Sequence, residues 1–233
     1  MSNSLYFRKD PAGLSCSRIP NNKHLKEYAL MNRKINLKKD LKWRETQLQM
    51  FLRKSDIWED FPVVGLTLVS AEIKKSRNDQ SIDLLYLRQD GALIPCELKI
   101  GGSSKDSHGQ LIRYIADLHF QNPVDLLKDN RKKFVNWLDD PIAQRIHKKK
   151  FNDFMSVNGI DEKFIRILPR SGLLMDEEFQ RYLFKAVIYL NEVCGFSIRM
   201  IQIKAYVKGS WSQDDTSYLF RVDFEETKGQ NLS

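Results

Sequence analysis

Apolar residues fall into two rhythms along this chain, one of period two and one near 3.6, and their alternation lays out its elements. From Ser81 the residues read SIDLLYL, then a Gln89-Asp90-Gly91 turn, then ALIPCELKI. Two short apolar runs around a turn glycine predict a β-hairpin. Before it, VVGLTLVSAEI (63–73) reads as another strand. LKWRETQLQMFLRKS (41–55) reads as a helix with Leu41, Leu48 and Leu52 on one stripe. After the hairpin the pattern predicts a helix over 106–118, then a polar, basic helical stretch from Val124 to about Met155 with Phe134 and Trp137 on its apolar side. A buried strand at 164–168 ends at Pro169, and a long helix over 177–195 has an acidic start and a glycine stop. Strands at 197–207 and 216–224, joined by the polar loop KGSWSQDD, complete the series. This order predicts an α/β three-layer domain built on a mixed sheet. No repeat of fixed period is visible.

The apolar hairpin carries charges. Asp83 lies in its first strand, and Glu97-Leu98-Lys99 in its second. Charged groups in strands this apolar are costly unless paired or bound to a metal. Glu97 and Lys99, two apart, share a face. With a three-residue loop ending in a left-handed Gly91, Asp83 stands opposite Glu97, about 5 Å away between Cβ atoms. A two-residue loop opposes Asp83 to Leu98 instead, so register decides whether the carboxylates converge. Converging carboxylates repel unless one protonates or a divalent cation intervenes. Lys99 beside them can hold a nucleophilic water and offset phosphate charge, the equipment for metal-assisted phosphodiester cleavage. Lys99 is expected to face solvent beside that site and so to contribute little to stability. The plainer alternative is a surface hairpin bearing a Glu–Lys ladder.

Asp83, then Glu97-Leu98-Lys99, then Gln110 and Tyr114 in GQLIRY together resemble the active site of the PD-(D/E)xK nuclease superfamily. The likeness is nearest to its RecB-like and NucS-like branch, which carries a QxxxY helix motif, and it covers about residues 43 to 118. The resemblance implies a restriction-endonuclease-like core and a metal-dependent nuclease acting on DNA. It makes Asp83, Glu97 and the Leu98 carbonyl ligands of Mg²⁺, with Mn²⁺ as a substitute. Lys99 becomes the catalytic lysine, and Gln110 and Tyr114 brace the site and contact substrate. The superfamily fold places a helix before the first strand, often with an acid at the site. Glu45 is then either that acid, aimed at the metal, or a stripe-edge residue paired with Lys42 or Arg44. Glu72 is a further candidate acid, though its place near a strand end favours solvation.

Length and composition are compatible with this picture. A chain of 233 residues, 42% apolar, can bury a sizeable core as one domain. We divide it into a basic N-terminal arm (1–40) and a nuclease-like domain (41–233). Absence of an 18-residue apolar run argues against a membrane span or membrane partner. The N-terminal MSNSLYFRKD lacks a signal-peptide core, so a cytoplasmic protein is expected. Cys16, Cys96 and Cys194 show neither disulfide nor zinc spacing, and His24, His108, His119 and His147 are scattered. His108 beside the QxxxY helix could touch substrate, though a helix-start surface histidine is the plainer reading. Charge is concentrated. Residues 1–42 hold ten Lys/Arg against three Asp/Glu, and residues 128–150 hold eight against three, in a chain of net charge +8. Such clusters attract a phosphate backbone, and DNA is the expected partner, with a homodimer also open. Aromatics among these cations, such as Tyr6, Phe7, Tyr28 and Trp43, could stack on bases or belong to the core. Two other classes compete: a non-catalytic nucleic-acid-binding module on a nuclease fold, and a structural α/β domain whose basic arm binds a protein.

Overall fold

The computed structural model describes residues 4–10, 13–15, 32–58, 65–74, 81–102, 106–138, 141–207, 209–210, 212 and 218–227. The chain folds as a mixed α/β protein. Among the described residues a ten-stranded sheet is formed by β1 (Ser4–Asp10), β2 (Gly13–Ser15), β3 (Arg33–Ile35), β4 (Leu66–Lys74), β5 (Ser81–Arg88), β6 (Ala92–Leu98), β7 (Arg166–Ile167), β8 (Ser171–Asp176), β9 (Ser197–Val207) and β10 (Tyr218–Glu226). The main order is β2-β1-β10-β9-β8-β6-β5-β4, with β3 paired to β9 and β7 to β6. β6, β7, β8 and β9 meet in parallel and the other pairs are antiparallel, so the sheet is mixed as expected. Five helices flank it among the described residues: α1 (Glu45–Trp58), α2 (Ser107–His119), α3 (Pro123–Trp137), α4 (Pro141–Val157) and α5 (Arg181–Glu192).

Burial follows strand position. β6 and β8, in the middle of the sheet, are buried at every residue, as strands covered on both faces should be. One face, with Leu84, Tyr86, Ile94, Cys96, Leu98, Leu173 and Met175, packs against Leu48, Phe51 and Leu52 of α1. The opposite face packs Leu85, Leu87 and Leu93 against Tyr114 and Leu118 of α2, and Leu174, Ile198 and Met200 against Leu111, Leu183 and Val187 of α2 and α5. Pro95 sits within the central strand β6 because its missing N–H costs nothing there. β7 pairs with Ala92 and Leu93, β8 begins pairing at Cys96, and Pro95 falls in the gap between them.

Several expected boundaries move. The first helix starts at Glu45, not at residue 41, and Leu41 and Trp43 are core residues of the segment leading into it. The basic stretch 124–155 is two helices, α3 and α4. The strand expected over 164–168 shrinks to Arg166–Ile167 behind a 3₁₀ turn at Glu162–Phe164. The helix expected from 177 starts at Arg181 because Glu177 is buried and its Oε1 accepts the Leu37 N–H at 2.5 Å. The N-terminal stretch contributes β1, β2 and β3 to the sheet. Residues 16–31, with Cys16, His24 and Tyr28, and most of the 208–215 loop lie outside the described residues. No helix among the described residues is long and apolar enough to cross a membrane.

Candidate active site

The hairpin turn comes first, because it sets everything after it. Gly91 takes φ +82°, the left-handed value a three-residue loop needs at its last position, and its N–H donates to the Arg88 carbonyl at 2.9 Å. Asp90 locks the turn through Arg88 and through Arg166, whose Nη2 lies 2.7 Å from its carboxylate. The Arg88 hydrogen bond, set against a smaller cost of burial, holds the Asp90 carboxyl down at about 2. β5 and β6 then pair Leu87 with Leu93, Leu85 with Pro95 and Leu84 with Cys96. One step further this register sets Asp83 across from Glu97, the arrangement in which the two acids converge.

The side chains meet accordingly. Glu97 is fully buried, and Lys99 Nζ lies 2.5 Å from its Oε1. Lys99 also reaches Glu45 Oε2 at 3.4 Å, and its backbone N–H is anchored on the Met175 carbonyl of β8 at 2.8 Å. Asp83 Oδ2 accepts the Leu98 N–H at 2.8 Å, tying the first acid to the middle of the Glu-Leu-Lys triplet. Tyr114 of α2, buried, stands beside the Glu97 carboxylate and helps lower its pKa. Gln110 lies one turn earlier on the same helix and is partly exposed. Neither Glu97 oxygen has a hydrogen bond of good geometry among the described residues, so the charge is approached but incompletely satisfied.

Electrostatics reports the crowding. Burial, and then the Glu97 charge, push the Asp83 carboxyl from its ordinary 3.8 up to about 7. Burial also raises Glu97, although Lys99 and Tyr114 pull it back. Desolvation opposes the charge on Lys99, but Glu97, Glu45 and Asp83 together outweigh it, and its pKa is raised. Lys99 is therefore protonated at neutral pH. Burial and the two acids raise the Tyr114 phenol, so it remains a donor.

Two expectations need amending. Lys99 is not solvent-facing, since its side chain is only 12% exposed. Glu45 neither enters the buried stripe nor pairs with Lys42 or Arg44 in the contacts seen; it sits half-exposed on the first turn of α1 and turns toward Lys99. Glu72 occupies the β4 position across from Asp83, between the pairs Ala71–Leu84 and Ile73–Ile82. Sequence reasoning missed Gln49, one turn after Glu45. It is buried, and its Nε2 donates to the Asp83 carbonyl at 2.8 Å, fastening α1 to the acid strand. A glutamine beside the Leu48–Leu52 stripe was the available signal. Gly172 was also missed. A Cβ there would stand 2.8 Å from Leu111 Cδ1, so glycine lets α2, with Tyr114, close onto β8.

No family model, curated protein or solved structure matches the chain.

Proposed function

We propose that the chain is a metal-dependent deoxyribonuclease, built on a restriction-endonuclease-like core, that hydrolyses phosphodiester bonds of DNA. The observation that carries this reading is the meeting of Asp83, Glu97 and Lys99 at one end of the hairpin, in the register the two acids require. Two crowded carboxylates, Asp83 pushed up to about 7 and Glu97 left without a hydrogen bond of good geometry among the described residues, fit a divalent cation. Mg²⁺ is usually held by one or two carboxylates with waters completing its shell, a need that two converging acids can meet. Asp83, Glu97 and the Leu98 carbonyl would hold it, with Mn²⁺ as a substitute. When bound there, the ion neutralises the acids and polarises the scissile phosphate.

The remaining work falls to the chain's own groups. Lys99, charged at neutral pH, donates to a phosphate oxygen or to the attacking water and offsets the negative charge that builds on phosphorus. Water forms the new P–O bond and gives up a proton to solvent, as the bond to the departing sugar oxygen breaks and that oxygen takes up a proton from solvent. Glu45, at the exposed edge, holds the Lys99 ammonium from its second side. Tyr114 would orient Glu97, and Gln110, partly exposed on the same helix, would contact substrate.

The test is incubation with circular and linear DNA, single- and double-stranded, in Mg²⁺, in Mn²⁺ and in chelator. Cleavage that requires the ion supports the reading, and product topology separates endonuclease from exonuclease. Salt-sensitive DNA retention with no cleavage under any metal would favour the non-catalytic nucleic-acid-binding module.

A further inference from the structure

Away from the hairpin, α3 and α4 enclose an open cleft of about 340 Å³ lined by Arg131, Lys132, Val135, Asn136, Lys148 and Asn152. Three of the six lining residues are cations and none is an acid. Like charges gathered in one concavity repel, and an anion relieves that repulsion. Two asparagine amides add neutral donors. The Arg131 guanidinium sits over the Phe151 ring, its carbon 3.4 Å from the ring centroid, and its Nε has no hydrogen-bond partner among the described residues. A cation–π contact of this kind holds the cation in place, and the guanidinium keeps an N–H to give. Burial lowers the Arg131 pKa to about 10, which still leaves it charged at neutral pH.

We propose that this cleft is a second phosphate-binding site, one that holds the nucleic-acid backbone independently of Asp83, Glu97 and Lys99. A polymer fits better than a single phosphate, because the basic surface runs past the cleft. α3 and α4 together hold eight Lys/Arg against three Asp/Glu. Lys128, Lys133, Arg145 and Lys149 of the two helices are exposed. The inference rests on the proposed function in naming DNA as the polymer; the cleft itself is argued from its own residues.

The experiment is fluorescence anisotropy of a labelled DNA duplex in chelator, where cleavage is silent, over roughly 50–200 mM salt. Wild type is compared with Lys132→Ala/Lys148→Ala, which changes two exposed side chains and so spares the fold. Each phosphate contact contributes a slope of about 0.9 in log affinity against log salt, so losing two should flatten the slope by about 2. Over that fourfold salt range the wild type should lose about 12-fold more affinity than the double variant. Unchanged affinity and slope in the double variant would overturn the proposal. So would loss of binding to phosphatidylserine vesicles with DNA affinity intact, which would assign the cleft to a membrane surface. Failure of the nuclease reading looks different: wild type that never cleaves DNA, while the double variant still loses DNA affinity, leaves the cleft standing and removes the catalytic site.

Discussion

At pH 8 the Asp83→Asn variant should be more stable than the wild type. The folded protein raises this carboxyl from 3.8 to about 7, which corresponds to about 4 kcal/mol of cost for keeping it ionised. The amide oxygen of asparagine can still accept the Leu98 N–H, so the substitution removes charge while retaining the bond. For an acid whose folded pKa is raised, the native state binds a proton that the unfolded chain has lost throughout the window from about 4 to 7. The Asp83 penalty is therefore complete above pH 7 and fades as pH falls toward 4. Thermal melting of both proteins from pH 4 to 8 measures it. At pH 8 the variant should melt roughly 10 °C higher, and the gap should close toward pH 4. Added Mg²⁺ at pH 8 should raise the wild-type melting temperature more than that of the variant, because the ion relieves the same repulsion. Parallel pH profiles, or a variant less stable at pH 8, would refute the crowded-carboxylate argument.

Lys99→Ala should destabilise the metal-free protein by about 3 kcal/mol, since it leaves the buried Glu97 charge without its cation, and Mg²⁺ should restore part of the loss. Urea titrations with and without Mg²⁺ check this, and wild-type stability in the metal-free variant would contradict it. Gly91→Val forces a branched residue to φ +82° and should cost about 1–3 kcal/mol by chemical denaturation, lowering activity as the register loosens. Gly172→Ala sets a methyl 2.8 Å from Leu111 and should cost about 1–3 kcal/mol while displacing Tyr114, so activity and melting temperature should fall together.

What was legible in the chain was local. The Gln89-Asp90-Gly91 turn specified its own loop length and so the register, and the alternation in SIRMIQIKAYV marked Ser197–Val207 to the residue. What was illegible depended on distant partners. SLYFRKD reads as a charged arm, yet it becomes β1 by pairing with β10 across most of the chain's length. SGLLMD is too short and too polar at its ends to announce a strand, but between β6 and β9 it is buried at every residue. Glu177 looked like an acidic helix start, and only the fold brings the Leu37 N–H to it. The acids and lysine of the site could be named from spelling and spacing. That Gln49 fastens α1 to Asp83, and that Glu45 meets Lys99 from the solvent side, required the packing of α1.

The most direct test is cleavage of supercoiled plasmid by wild type beside Lys99→Gln, each in Mg²⁺ and in chelator, with DNA binding measured in parallel. Wild type should nick, linearise or degrade the plasmid only with the metal, and Lys99→Gln should bind the DNA yet leave it intact. Equal cleavage by both proteins, or intact plasmid with wild type in both Mg²⁺ and Mn²⁺, would contradict the assignment of this hairpin as a nuclease site.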